Sequence, residues 1–222
     1  MDLANKHVVI TQADRFMGPA LVKGFNEAGA EVHADTRDLT KIGADQDLAL
    51  EHPELDVLVV NLAHPRPDKL ASELEEHDIS PLFEALVYPL LRLGAAVLPG
   101  MIARGRGKIL VMGSASPLRA FAKSSSYAAA RAAQLAWVKS ASVEVARHNV
   151  QINAIAQNFV ENPEYYSEAY QQTDEFKERI KQVPAGRLGT AQEDVALALF
   201  LASNQCNFMT GAAIPFAGGW QA

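Results

Sequence analysis

Short apolar runs alternate with longer segments of helical spacing along the chain. The runs predict strands, at His7–Thr11, Glu31–Ala34, Leu55–Asn61, Ile109–Met112, Gln151–Ala156 and Ala213–Phe216. The segments between them predict helices, from about Met17 to Ala28, Ile79 to Arg104, Ser126 to His148 and Gln192 to Ser203. This alternation is typical of an α/β fold, here a single Rossmann-like, doubly wound parallel sheet with helices on both faces.

The pattern is shortened at one place. Only about twenty residues separate Asp35 from the strand that begins at Leu55, which is too few for a further strand–helix–strand unit. We therefore expect one domain over residues 1–222, with a sheet trimmed on the side that binds adenosine in dinucleotide-binding folds. A polar, tyrosine-rich excursion at 161–183 is predicted to cover a cleft.

The amino-acid composition limits the classes of molecule that the protein is expected to bind and the compartment in which it is expected to act. A net charge of −6 over 222 residues argues against nucleic acid and against anionic membrane surfaces. The single cysteine, Cys206, rules out an intrachain disulfide and fits a reducing cytoplasm. There is no basic-then-apolar leader and no run of 18 apolar residues, so we expect a cytoplasmic protein without a membrane span.

The candidate chemistry lies between Lys108 and Arg131. Ser114 follows a predicted strand, at the sheet edge where open α/β folds place ligands. Tyr127 and Arg131 are four residues apart and share one helix face. A second Tyr-x-x-x-Arg pair, Tyr88 with Arg92, straddles a proline and has no strand-end serine before it.

The segment with Ser114, Tyr127 and Arg131 resembles the catalytic segment of the short-chain dehydrogenase/reductase superfamily, which has lysine where this chain has Arg131. A Ser-Tyr-Arg set with this spacing is similar to that of the halohydrin dehalogenases, a branch that does not use nicotinamide cofactors. The resemblance implies that Tyr127 is the base, that Arg131 activates it by stabilising the phenolate, and that Ser114 orients the substrate oxygen. The expected reaction converts a vicinal haloalcohol into an epoxide and halide, and runs in reverse with small anions.

A second departure supports this branch. The superfamily motif Thr-Gly-x-x-x-Gly-x-Gly is replaced by Thr11-Gln12-Ala13-Asp14-Arg15-Phe16-Met17-Gly18. The side chains of Gln12 and Phe16 would fill space that a dinucleotide needs, and Asp14 would repel phosphate. We therefore expect no cofactor.

In the halohydrin dehalogenases an aromatic residue at the position of Phe16 walls the halide pocket. The loop after the fifth strand completes it, and here that loop consists of Gln157, Asn158, Phe159 and Val160. Its backbone amides are the expected halide donors. Asn162 replaces a threonine that holds the nicotinamide in dehydrogenases of the superfamily.

Further expectations concern substrate contacts and assembly. Pro117, Tyr165 and Tyr166 are candidates to line the substrate cleft. The apolar helix Ile79–Arg104 and the alanine-lined helix after Tyr127 are expected to form the interfaces of a homotetramer. Clustered histidine, cysteine and carboxylate spacing of a metal site is absent from the sequence, so no metal is expected.

Two other functions stay open at the level of sequence. The chain could be an NAD(P)-dependent reductase with a degenerate cofactor motif, or a superfamily member without catalysis. The lost glycines argue against the first and the intact Ser114-Tyr127-Arg131 set argues against the second. His64, at the end of another strand, is the next candidate for the base.

Overall fold

A parallel sheet organises the computed structural model, which describes residues 2–222. Over those residues the strands are β1 (His7–Ile10), β2 (Glu31–Ala34), β3 (Val57–Asn61), β4 (Gly107–Ser114), β5 (Val150–Gln157) and β6 (Ala213–Phe216). Their order is β2-β1-β3-β4-β5-β6, and every neighbouring pair is parallel. β3, β4 and β5 are buried along their whole length, which explains their continuous apolar runs.

Helices cover both faces of the sheet. They are α1 (Gly18–Glu27), α2 (Ala44–Glu51), α3 (Glu76–Leu86), α4 (Tyr88–Arg104), α5 (Ser125–Val145), α6 (Glu168–Gln171), α7 (Asp174–Ile180) and α8 (Ala191–Ala202). On one face α1 and α8 share a core that includes Phe25 and Leu201. On the other, α4 and α5 share a core that includes Leu90 and Val138. The predicted Rossmann-like, doubly wound α/β fold is confirmed.

The sheet is short on the side of β2. This strand pairs with β1 on one edge, and in residues 2–222 no strand pairs with its other edge. The chain between β2 and β3 contains the helix α2, which begins after Gly43 at a φ of +95°. Sequence periodicity did not reveal α2 because only Asp45 and Leu48 of its eight residues are buried. The expected trimming of the adenosine side is present.

The predicted helix Ile79–Arg104 is two helices, α3 and α4, which meet at Val87. Pro89 has no backbone N–H to continue the hydrogen-bond ladder across this point. The combined segment Glu76–Arg104 is long and apolar enough to span a membrane by composition alone, which the sequence analysis did not anticipate. Half of its most apolar window is buried inside the protein, and Leu86 and Leu90 are fully buried. Within the described residues, both helices contribute to the core on one face of the sheet.

The excursion at 161–183 contains α6 and α7 and has a small apolar cluster of its own. Phe159, Phe176, Val183 and Trp220 pack together there, with Tyr166 against them. Because β5 leads into this segment and β6 leads into Trp220, the cluster lies at the carboxyl edge of the sheet. It holds the excursion over the ends of the strands that carry the candidate site.

Candidate active site

A cavity of about 120 Å³ opens at the carboxyl ends of β4 and β5. Most of the residues predicted for the site line it, namely Phe16, Ser114, Tyr127, Gln157, Asn158, Phe159, Val160, Tyr165 and Tyr166. Its wall also includes residues that the sequence analysis did not assign to the site, namely Arg66, Ser116, Phe121, Asn162 and Arg179. The cavity is smaller than the clefts of about 300–1,000 Å³ that hold drug-sized ligands.

Arg131 lies behind Tyr127 as a fixed, buried cation. Its side chain is 1% exposed, and its Nε donates to the Tyr127 hydroxyl oxygen at 3.0 Å. The other guanidinium nitrogens donate to the carbonyl oxygens of Met112 (3.3 Å) and Leu62 (3.1 Å) and to Gln134 Oε1 (3.0 Å). A planar fork with five donors can satisfy these acceptors together, whereas a lysine ammonium has three donors at one point.

Three tyrosines line the cavity, namely Tyr127, Tyr165 and Tyr166, and their chemical environments differ. Burial raises the pKa of Tyr165 to about 12, and burial also raises the pKa of Tyr166. Both therefore stay protonated at neutral pH, and the Tyr165 hydroxyl donates to the carbonyl oxygen of His64 at 3.3 Å. Of the three, Tyr127 is the one whose hydroxyl accepts a hydrogen bond from a guanidinium.

Ser114 ends β4 and turns its hydroxyl toward the cavity. That oxygen accepts the backbone N–H of Ser116 at 3.1 Å and lies 3.1 Å from the Ser116 hydroxyl. A tight turn in which Leu118 N–H donates to Ala115 C=O at 2.8 Å follows. This turn places Ser116 in the cavity wall and leaves Pro117 out of it, so a contact between Pro117 and the substrate stays a prediction that the lining of this cavity does not support.

His64 also lies outside the cavity wall. Its Nδ1 is 2.8 Å from the carbonyl oxygen of Pro65, the next residue. A local contact with its neighbour's backbone occupies that ring nitrogen. The geometry therefore favours Tyr127 over His64 as the base.

The turn after β1 has residues at positive φ, a conformation that favours glycine, although glycine is absent from those positions. Gln12 has a φ of +42° and Phe16 a φ of +53°, a region that costs an L-residue about 1–2 kcal/mol. Asn61 holds this turn, because its Nδ2 donates to the carbonyl oxygens of Gln12 and Arg15, both at 3.0 Å. At Gly18 a Cβ would lie 2.5 Å from Gln12 O and Ala13 O, which explains why this last glycine is retained.

A carboxylate of the chain occupies the donors of this turn. Glu164, from the excursion, accepts the backbone N–H of Phe16 at 2.6 Å, and its other oxygen pairs with Arg15 at 3.1 Å. In dinucleotide-binding folds the N–H groups of this turn bind the pyrophosphate. The Phe16 ring also packs edge to face on Tyr165, with centroids 5.6 Å apart, so that this turn and the excursion together wall the cavity.

The adenosine side has been changed as well. Asp35 follows β2, where a carboxylate binds the ribose in dinucleotide enzymes. Here that carboxylate accepts Arg37 Nε at 2.5 Å and the Arg37 backbone N–H at 3.0 Å. With Glu164 on the turn and no further strand beyond β2 within residues 2–222, the phosphate turn as folded does not fit a nicotinamide dinucleotide.

The predicted halide loop has fewer free donors than expected. The Phe159 N–H donates to the Asn158 side-chain oxygen at 3.0 Å, and the Asn158 N–H donates to the carbonyl oxygen of Phe216 at 3.1 Å. Asn162 offers a better donor. Its Nδ2 is buried without a hydrogen-bond partner among the residues that the structure describes, and its Oδ1 accepts Glu164 N–H at 2.8 Å. Asn162 lines the cavity and was not among the predicted halide ligands.

Gln157 is anchored from behind by Asp194 of α8. Gln157 Nε2 donates to the Asp194 carboxyl group at 2.5 Å, and Asp194 is fully buried. Burial raises the pKa of Asp194 to about 7, and the hydrogen bond from Gln157 offsets part of this effect. The loop that walls the cavity thus rests on a carboxyl group whose charge changes near neutral pH.

Comparisons with known proteins relate the chain to one large family. A family model described as enoyl-(acyl carrier protein) reductase matches residues 4–221. A 3-oxoacyl-[acyl-carrier-protein] reductase FabG of Vibrio cholerae is 30% identical over 244 aligned positions, covering 99% of this chain and 98% of the relative. The same enzyme of Escherichia coli is 31% identical over 174 positions, covering 78% and 70%. The longer alignment exceeds the 222 residues of this chain, so the Vibrio relative has segments that this chain lacks.

Solved structures with the same fold include one described as a dehalogenation enzyme and one described as a dehydrogenase. One, named only as a dehalogenation enzyme, superposes with a TM-score of 0.89 and 30% identity, covering 99% of this chain and 100% of that one. Another is a gluconate 5-dehydrogenase from Burkholderia cenocepacia, in complex with NADP and tartrate. It superposes with a TM-score of 0.89 and 25% identity, covering 99% and 96%.

Proposed function

The chain belongs to the short-chain dehydrogenase/reductase family, and within this family we propose that it is a cofactor-independent halohydrin dehalogenase. It would act as a carbon–halide lyase on small vicinal haloalcohols and return an epoxide and a halide ion. In reverse it would open epoxides with halide or other small anions. A cytoplasmic location and a homotetrameric assembly remain part of this proposal.

The observation that carries the proposal is the carboxylate of Glu164 on the turn after β1. It accepts the Phe16 N–H, a backbone donor of the turn that binds phosphate in dinucleotide enzymes, and pairs with the Arg15 side chain. A second anion at this place would be repelled by Glu164 unless the excursion moved away. The cavity that remains is small and walled by aromatic rings, which suits a compact haloalcohol.

The proposed reaction needs no redox step. Tyr127, as a phenolate next to Arg131, takes the proton of the substrate hydroxyl. The resulting alkoxide oxygen bonds to the neighbouring carbon, and the halide leaves with the electron pair of the carbon–halogen bond. Ser114 and Ser116 hydroxyls lie at the same cavity and would orient the substrate oxygen toward Tyr127.

The halide must be able to leave after the reaction, and this limits which groups can line its side of the cavity. A weakly hydrated anion needs donors that do not bind it so tightly that it stays. The neutral amide of Asn162 and the ring of Phe16 meet this requirement, because neither carries a net charge. Both line the cavity with Tyr127, and we include Asn162 with the loop 157–160 in the proposed halide site.

The names of the relatives favour a second candidate, an NAD(P)-dependent reductase. The curated relatives are 3-oxoacyl-[acyl-carrier-protein] reductases at 30% identity over almost the whole chain, and one structural relative binds NADP. The acidic residue after β2, Asp35, is also consistent with this function. Against it stand Arg131 in the place of a lysine, Glu164 on the turn and the missing strand beyond β2.

The decisive experiment runs both activities side by side on protein freed of small molecules by dialysis. A small vicinal bromohydrin is incubated without nucleotide, and bromide is measured by ion chromatography. In parallel, oxidation of NADPH and NADH is followed with a 3-oxoacyl thioester as the acceptor. We expect bromide release and no nucleotide oxidation; the reverse result would establish the reductase. Absence of both activities would favour a member without catalysis.

Matched tyrosine variants control this experiment. Tyr127→Phe should abolish bromide release and leave the melting temperature nearly unchanged, because the hydroxyl makes one hydrogen bond, to Arg131. Tyr88→Phe removes a hydroxyl from the other Tyr-x-x-x-Arg pair and should retain full activity. Retention of more than a few per cent of activity in Tyr127→Phe would point to another base.

A further inference from the structure

Two histidines and a glutamate meet beside the outer strand of the sheet, in a part of the molecule that the proposed reaction does not use. His33 lies in β2, and Glu51 and His52 lie at the end of α2. One ring nitrogen of each histidine and one carboxylate oxygen of Glu51 all lie within 4.8 Å of one another. The two imidazole rings are 4.2 Å apart and tilted by 53°. Two imidazoles and a carboxylate form a donor set that zinc uses in proteins.

His52 supplies an independent observation. Its Nε2 atom is buried and has no hydrogen-bond partner within residues 2–222. Buried polar atoms of native proteins nearly always have a partner. An imidazole nitrogen without a hydrogen-bond partner is a suitable ligand for a metal ion.

The charges around the cluster favour a dication. Arg37 donates to Glu51 Oε2 and to Asp35 Oδ2, each at 2.5 Å, and His33 Nε2 lies 3.9 Å from Asp35 Oδ2. The two carboxylates and the one guanidinium together carry a net charge of −1. Arg37 also holds both carboxylates in place, as residues next to metal ligands commonly do.

We propose that His33, Glu51 and His52 form a binding site for a divalent transition-metal ion of the zinc class, with Asp35 as an additional carboxylate beside it. His33 and Glu51 are exposed, so their side chains can rotate to reach bond lengths of about 2.0–2.2 Å. The ion would tie α2 to β2, the strand that lacks a further neighbour. His33 precedes Glu51 by 18 residues in the sequence. A separation of this length is why the spacing of ligand residues did not indicate the site.

Cobalt(II) and zinc(II) are suitable probes for the purified full chain after treatment with EDTA and dialysis. Cobalt is titrated while its visible d–d absorption is recorded, and zinc is added during thermal unfolding. We expect one cobalt ion per chain, displaced by zinc, and a higher melting temperature with zinc, because an ion that binds only the folded state stabilises it. Binding should weaken at least tenfold in His33→Ala and in His52→Ala.

His77→Ala is the matched control, because His77 is an exposed histidine next to the carboxylates of Glu75 (3.3 Å) and Asp78 (3.7 Å). This variant should bind cobalt like the unaltered protein. Equal cobalt binding by the unaltered protein and by a His33→Ala/His52→Ala double variant would overturn the proposal. Bromide release should be the same in that double variant, since the site is separate from the cavity, so this test does not depend on the proposed reaction.

Discussion

Replacing Arg131 with glutamine removes the cation from Tyr127 while keeping a polar side chain of similar length. The Arg131 Nε lies 3.0 Å from the Tyr127 hydroxyl oxygen. At this distance, and with an effective dielectric constant of ~20, the gross Coulomb attraction between a unit positive charge and an oxyanion is about 5–6 kcal/mol, from which desolvation subtracts. If the barrier rises by the whole of that energy, the rate falls by about 10⁴. The glutamine amide recovers part of the interaction, so we expect a loss of about 10²–10⁴.

The substitution also affects stability. Arg131 donates to the buried carbonyl oxygens of Leu62 and Met112, and a hydrogen bond from a charged group contributes about 1.5–3 kcal/mol. Losing both costs about 3–6 kcal/mol, a large share of the free energy of unfolding of a small domain, which is about 5–15 kcal/mol. Activity should therefore be measured well below the melting temperature of the variant, with circular dichroism as the check on folding.

The assay is bromide release from a small bromohydrin at neutral pH. Arg131→Lys keeps the charge and should retain more activity than Arg131→Gln. Arg92→Gln is the matched control; it loses the bond to Leu39 C=O and the ion pair with Asp45 and should keep its activity.

The reasoning fails if folded Arg131→Gln releases bromide within tenfold of the unaltered protein at neutral pH. That result would mean that the guanidinium serves the fold alone and that another group activates Tyr127.

Three further predictions concern the pocket wall, its support and the assembly. Phe16→Gly should weaken inhibition by bromide, since the cavity grows, and still bind no NAD(P)H by calorimetry, since Glu164 and the short sheet remain; restored micromolar binding would contradict this. Asp194 keeps its proton in the folded protein up to about pH 7 but loses it near 3.8 when unfolded. The unfolded state therefore binds fewer protons between these values, and stability should fall with rising pH by about 4 kcal/mol relative to Asp194→Asn; parallel curves in chemical denaturation would refute it. Light scattering should report a homotetramer, because Tyr88 and Leu91 of α4 are 50% and 41% exposed and would be covered by another subunit; a monomer at micromolar concentration would exclude it.

The sheet and the proximity of the candidate residues Ser114, Tyr127 and Arg131 could be predicted from sequence because their signals are local. The strands β3, β4 and β5 are buried on both faces, so each one is a continuous apolar run. Tyr127 and Arg131 lie one helical turn apart, and Ser114 ends the preceding strand. α2 escaped prediction because a helix with so few buried positions has no apolar stripe. The break at Val87 was missed because the apolar pattern continues across it.

The remaining features depend on tertiary contacts. Glu164 is 148 residues from the turn that it caps, and a glutamate in a polar segment has many exposed positions open to it. Whether Pro117 or Ser116 faces the cavity is decided by one turn, at a precision that spacing does not supply. The free amide of Asn162 could be found only once the partners of its other atoms were known.

The position of bromide in a crystal tests most directly whether a halide pocket has replaced the nicotinamide site. Crystals soaked in bromide and measured by anomalous diffraction would locate the ion without reference to any substrate. The account predicts a peak in the cavity between Phe16, Tyr127 and Asn162, with the Glu164 carboxylate still on the turn after β1. Bromide found only on surface lysines, with the cavity filled by water alone, would contradict it.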